Sequence, residues 1–160
     1  MSKIISILSV LLISWCAMAA PTAEQPDRNT EVYNLDGNLG LKGYDPVSYF
    51  TEGGGAPQEG LPTISTEYGE VTYFFSSEEN KNLFLENPTK YESTYGGWCA
   101  WAMANKGYAD IDPTLYTING NRAHFFINRG AKFKFDQDIQ NREPAADTFW
   151  KTESGEEARK

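Results

Sequence analysis

The chain has 160 residues, 14 basic against 22 acidic side chains for a formal charge of −8, 14% aromatic residues, two cysteines and one histidine. That is one domain's worth of sequence, able to bury roughly 68–70% of the surface of its unfolded form, so it needs no structural metal to fold, and two cysteines are too few for a disulfide framework. The acidic balance, with a pI near 4.7, argues against nucleic acid or an anionic membrane surface as the main partner, because both demand a basic patch.

In chain order, residues 1–19 read as a secretory signal peptide. Lys3 supplies the positive charge, Ile4 to Ile13 is apolar apart from Ser6 and Ser9, and Ala17-Met18-Ala19 has the small-x-small pattern of a cleavage site. The run is shorter than the roughly 20 apolar residues that span a bilayer, and no later segment approaches that length, so no transmembrane segment is expected in the mature chain. The protein is expected to be exported, periplasmic or extracellular, after cleavage near Ala19. Cys16 leaves with the signal, so Cys99, Met103 and His124 remain as the single cysteine, methionine and histidine. An intramolecular disulfide is excluded, and Cys99 is buried and inert, partnered between molecules, or chemically used.

Residues 20–30 are polar with two prolines and read as a flexible lead-in, 31–150 as the folded domain, and 151–160 as a disordered, charge-rich tail. No internal repeat or low-complexity block is seen in the domain. Asp45-Pro46 opens a short expected helix that ends at Gly53-Gly54-Gly55. Ile64 to Tyr68 and Val71 to Phe75 flank Gly69-Glu70 as a hairpin. Ser76 and Glu79 form a capping box for a helix that stops near Asn87-Pro88. A second hairpin is expected from Leu115 to Asn119 and Ala123 to Asn128, followed by helix over Gly130 to Ile139 and Ala145 to Trp150. The fold class is α+β, with a hairpin and helix, a second hairpin and C-terminal helices.

The segment Tyr95-Gly96-Gly97-Trp98-Cys99-Ala100-Trp101-Ala102-Met103 carries the chemistry-bearing residues. A helix beginning near Gly97 places Cys99 in its first turn, where unpaired N–H groups and the helix dipole favour a thiolate. Met103 lies four residues on and faces the same side, and His124 is the imidazole that can complete a site. Thiolate, thioether and imidazole together suit copper(I) by softness, with zinc the other candidate. A blue-copper centre, which takes two histidines, and a four-ligand structural zinc site are both excluded within one chain. The competing reading makes Cys99 a small buried hydrophobe, Met103, Trp98 and Trp101 core residues, and His124 a hydrogen-bonded strand histidine. No phosphate loop, nucleophile elbow or dinucleotide fingerprint is present.

Gly43-Tyr44-Asp45-Pro46-Val47-Ser48-Tyr49-Phe50, Val71 to Asn80, Phe84 with Pro88 and Tyr91, and Tyr95 to Ala100 together resemble the exported YHS-domain proteins over about Leu35 to Met103. The resemblance implies a small α+β module around a hairpin and helix, related to TRASH-type metal-binding domains, with no settled activity for stand-alone exported members. Where the metal-binding pattern carries cysteines, this chain has Ser48, Ser76 and Asn80, which implies that the inherited metal site is absent. Some relatives carry selenocysteine at the position resembling Cys99, which implies redox use of that position.

Three functions are therefore expected from the sequence. The first is a binding module that takes a soft metal ion or small ligand at an aromatic cleft of Tyr95, Gly96, Gly97, Trp98 and Trp101, with Cys99, Met103 and His124 as metal ligands. The second is a thiol oxidoreductase in which Cys99 is the catalytic nucleophile and an external thiol is the reductant. The third is a structural or partner-binding envelope protein with Cys99 buried.

Overall fold

The computed structural model describes residues 28–159. The expected signal peptide at 1–19 and residues 20–27 of the lead-in lie outside them. The fold is α+β, as the sequence implies. Two antiparallel hairpins, β1 (Leu61–Tyr68) with β2 (Val71–Phe75) and β3 (Asp112–Asn119) with β4 (Arg122–Phe126), form separate two-stranded sheets. Helices α1 (Glu78–Glu86), α2 (Pro88–Tyr91) and α3 (Ala100–Ala104) lie between the hairpins, and α4 (Arg129–Asp136) and α5 (Ile139–Ser154) follow the second.

The first hairpin closes through Gly69 and Glu70, both at positive φ, the turn geometry that matches strand twist. Its inner strand β2 alternates buried Val71, Tyr73 and Phe75 with half-buried Thr72 and Phe74, placing one face on the core. Helix α1 is capped by Ser77, whose hydroxyl accepts from the Asn80 N–H. The expected cap, Ser76, instead turns toward Asp45. The expected helix after Asp45 is a run of turns, with the Ser48 N–H bonded to the Asp45 carbonyl and the Phe50 N–H to that of Val47.

The two halves repeat. Leu61, Ser65, Thr66, Glu67 and Tyr68 pair with Phe75, Phe74, Tyr73, Thr72 and Val71; 51 positions later, Asp112, Tyr116, Thr117, Ile118 and Asn119 pair with Phe126, Phe125, His124, Ala123 and Arg122. The irregularity of register falls at the same place in each. The next helix is capped by Ser77 in one half and Asn128 in the other, each accepting from the N–H three residues on, and each buries a phenylalanine, Phe84 and Phe135. This corrects the reading of a chain without an internal repeat. Few side chains are shared between the halves, so the repetition lies in register and caps rather than in residue identity.

The core joins both halves: Phe75, Phe84, Phe125, Phe126, Phe135, Tyr95, Met103 and Trp150 are all fully buried. Helix α5 packs on α3 and seats Trp150 edge-on against Tyr33, ring centres 5.4 Å apart. The tail expected at 151–160 is ordered through Arg159. Lys151–Ser154 finish α5, and Arg159 reaches back to Glu92 and Tyr33. The last part of the expected lead-in is held in the same way, since both guanidinium nitrogens of Arg28 bond the Glu92 carboxylate at 2.6 Å. Composition alone made both ends look unstructured, because the partner that anchors them is far away in sequence.

Candidate functional site

Cys99 is the cap residue before α3, not part of its first turn, and it is 0% exposed. Its backbone bridges to Phe125 of β4 and its N–H bonds the Ala109 carbonyl, so the residue is stitched between two segments of the fold. The α3 helix is five residues long, and its side-chain face carries Ala100 and Met103 into the core, Met103 also at 0%. The thiol and the thioether are therefore sealed from solvent.

His124 is also fully buried, between the rings of Tyr95 and Phe135, 5.6 and 5.1 Å away. Its Nε2 lies 2.5 Å from Glu143 Oε1 on α5, and its Nδ1 has no hydrogen-bond partner. A carboxylate only accepts, so the neutral ring carries its proton on Nε2. Burial pushes the His124 pKa below the ordinary histidine value, with the Glu143 carboxylate pulling the other way. Burial raises the Glu143 pKa, but its bonds to His124 and Asn119 outweigh this and hold it below the usual carboxylate range. Arg122 reaches Glu143 at 3.4 Å and Asp147 at 2.5 Å, and the Tyr95 hydroxyl donates to Asp147 at 2.8 Å. Burial raises the Tyr95 phenol well above its ordinary value. His124 is thus committed to a side-chain network of the second hairpin and α5.

At the expected aromatic cleft, neighbouring segments pack closely on the two glycines. Gly96 has φ +56, and a Cβ there would sit 2.6 Å from the Trp150 ring; one on Gly97 would sit 3.0 Å from the Asn34 carbonyl. The two glycines let the Tyr33-Asn34 segment and Trp150 pack directly on the backbone. Trp98 donates from its indole N–H to the Val32 carbonyl at 2.7 Å. Trp101 is half-buried with the Lys134 ammonium 5.6 Å and the Arg142 guanidinium 4.6 Å from its ring centre. A surface recess of about 330 Å³ lies elsewhere, lined by Leu39, Lys42, Tyr44, Glu59 and Phe74 among others, and includes none of the expected site residues.

Two networks escaped the sequence reading. Asp45 is fully buried and accepts from the Val47 N–H at 2.9 Å, the Ser76 N–H at 2.9 Å, the Ser76 hydroxyl at 2.6 Å and the Asn80 amide at 2.7 Å. Ser48 donates to the Asp45 carbonyl at 2.7 Å. Ser76 and Asn80 thus donate to the Asp45 carboxylate, while Ser48 donates to the Asp45 backbone carbonyl. Glu92 is the second centre, 2% exposed, bonded by Arg28, Arg159 and the Tyr73 hydroxyl. Beside it lies a cavity of about 10 Å³ lined by Tyr33, Tyr73, Glu92 and Arg159 and by two of the expected binding residues, Gly96 and Gly97, among others, room for about one water molecule. The 51-residue offset points to the second of these centres, carrying Tyr73 onto His124 and Glu92 onto Glu143; it gives no signal for Asp45.

Among the described residues, no group of three or more His, Cys, Asp or Glu side chains is placed to hold a metal ion, and no helix is long and apolar enough to cross a membrane. Comparison of the chain with protein-family models, with curated proteins and with solved structures finds no match.

Proposed function

We propose that this chain is an exported, YHS-type module that acts by contacting a macromolecular partner rather than by thiol chemistry or soft-metal binding. The observation that carries this reading is the sealing of Cys99: a nucleophile needs access, and this sulfur has none in the folded state, while among the described residues no group of three or more His, Cys, Asp or Glu is placed to hold a metal ion. Met103 is equally enclosed, and His124 is already bonded to Glu143. The surface around α3 supplies the contact. Trp98, Tyr108 and Phe149 form a continuous aromatic row, ring centres 5.0 and 5.7 Å apart, with Tyr108 44% exposed. Trp101 stands between two cations, and Phe133 on α4 is 62% exposed. Tryptophan, tyrosine and arginine are the residues that anchor protein interfaces.

The test has two arms. Under native conditions a small alkylating reagent should leave Cys99 unmodified, while denaturant makes it fully reactive; fast native alkylation overturns the reading in favour of the redox enzyme. In the envelope of the host, a photocrosslinking side chain at Tyr108 should give an adduct of one discrete mass that the same probe at Leu85, similarly exposed, does not give. Equal labelling at both positions removes the aromatic face from the proposal.

A further inference from the structure

The two carboxylate centres of the repeat differ at one side chain. In the first half the inner-strand residue facing the glutamate is Tyr73, bonded to Glu92 at 2.7 Å. In the second half it is His124, bonded to Glu143 at 2.5 Å. A buried phenol does not ionise near neutral pH, whereas an imidazole does. The His124 ring has one nitrogen satisfied and the other buried without a partner. Protonating that Nδ1 creates an N–H with no acceptor, which costs the desolvation free energy of a buried polar group.

We propose that His124 and Glu143 form an acid-released latch, in which uptake of a proton on His124 Nδ1 loosens the hold of α5 on the second hairpin while the first hairpin stays closed. The groups facing the ring come from every neighbouring element. Arg122 is on its own strand, Glu143 and Asp147 are on α5, and the Tyr95 hydroxyl comes from the loop before α3. Thr117, opposite His124 on β3, is bonded to Lys132 and Asp136 of α4, and α4 also presents apolar Phe135. The Arg122 guanidinium opposes a second positive charge, whereas Glu143 and Asp147 favour it. Burial adds to the opposition and prevails, so the folded pKa lies below the ordinary value.

The direction of the pH effect follows from this ordering. The opened state takes up a proton near the unperturbed value of about 6.5, and the closed state only at lower pH. The latch is thus fully held above about pH 6.5, weakens as pH falls below it, and stops responding once pH is below the folded pKa. With one proton involved, the opening constant rises at most about tenfold per pH unit.

The chain has a single histidine, so its imidazole resonance in the mature protein can be followed without ambiguity, together with amide hydrogen exchange at pH 7.5 and 5.5. The expected result is a midpoint below 6.5, with α5 amides losing up to about tenfold protection over that interval while β1 and β2 amides do not. In His124→Gln, which keeps an amide donor toward Glu143 and cannot titrate, the α5 response should vanish. A wild-type midpoint at or above 6.5, or an α5 response that survives in His124→Gln, overturns the latch. Should that variant not fold, Glu143→Gln decides. Loss of the carboxylate should lower the imidazole midpoint further, and an unmoved midpoint overturns the pairing.

Discussion

Glu92 and Glu143 hold the same place in the two halves of the fold. Each lies 19 residues after the inner-strand side chain that bonds it, Tyr73 at 2.7 Å and His124 at 2.5 Å. Each is also met by arginine: Glu92 by Arg28 and Arg159, Glu143 by Arg122. The repeated hairpin and helix thus brings with it a repeated acidic anchor. In the first half that anchor ties residues near both ends of the described chain to the core; in the second it ties α5 to the hairpin.

Removing the first anchor should be costly. Glu92→Ala leaves the guanidinium of Arg28, whose side chain is 2% exposed, without its carboxylate, and breaking a buried pair from one side typically costs about 3–5 kcal/mol. Urea unfolding should show a lower midpoint and an unfolding free energy reduced by that amount, together with faster proteolysis near Arg28 and Arg159. An unchanged midpoint would mean that both arginines find water instead.

Asp45→Asn is the corresponding test of the network at Ser48, Ser76 and Asn80. The carboxylate faces donors only, three of them on Oδ2. An asparagine amide nitrogen set against those donors loses charge-assisted bonds worth about 1.5–3 kcal/mol each. A loss of at least about 2 kcal/mol is expected in denaturant unfolding, and Asp45→Asn should be worse than Ser76→Ala, which removes a single hydroxyl.

Cys99 should behave as a core residue in stability measurements. Cys99→Ala removes a sulfur from a packed site and is expected to cost about 1 kcal/mol. Cys99→Ser places a hydroxyl in a fully buried site, at about 1–3 kcal/mol. Thermal unfolding should therefore rank wild type above alanine above serine. Serine equal to or better than alanine would indicate a hydrated, open pocket.

Gly96 tests the close packing at the two glycines. At φ +56 an L side chain costs roughly 1–2 kcal/mol, and the added Cβ would meet Trp150 at 2.6 Å, an overpacking cost of about 1–3 kcal/mol. Gly96→Ala should lower stability by about 2–4 kcal/mol and change the Trp150 environment in near-ultraviolet circular dichroism. A ligand site bounded by an open glycine would tolerate the change.

Features that depend on near neighbours were legible in the amino-acid order. The alternation in Val71 to Phe75 and the Gly69-Glu70 turn fix the first hairpin, and Gly120 with its flanking strands fixes the second. The class α+β follows, as do the helices beginning within a residue or two of Ser76 and Gly130. The tertiary structure decided everything carried by distant pairs. Cys99 and Met103 have the spacing of a ligand pair, yet whether a sulfur is reached by solvent depends on β4 and the segment at Ala109, which close over it. Polar 151–160 lacks an apolar stripe, yet Arg159 is fixed by a glutamate 67 positions away. Glu143 gives no local sign that it meets His124 across 19 residues. Local propensity and periodicity are written in adjacent side chains, whereas burial and charge pairing arise only when the two hairpins and α5 close on one core.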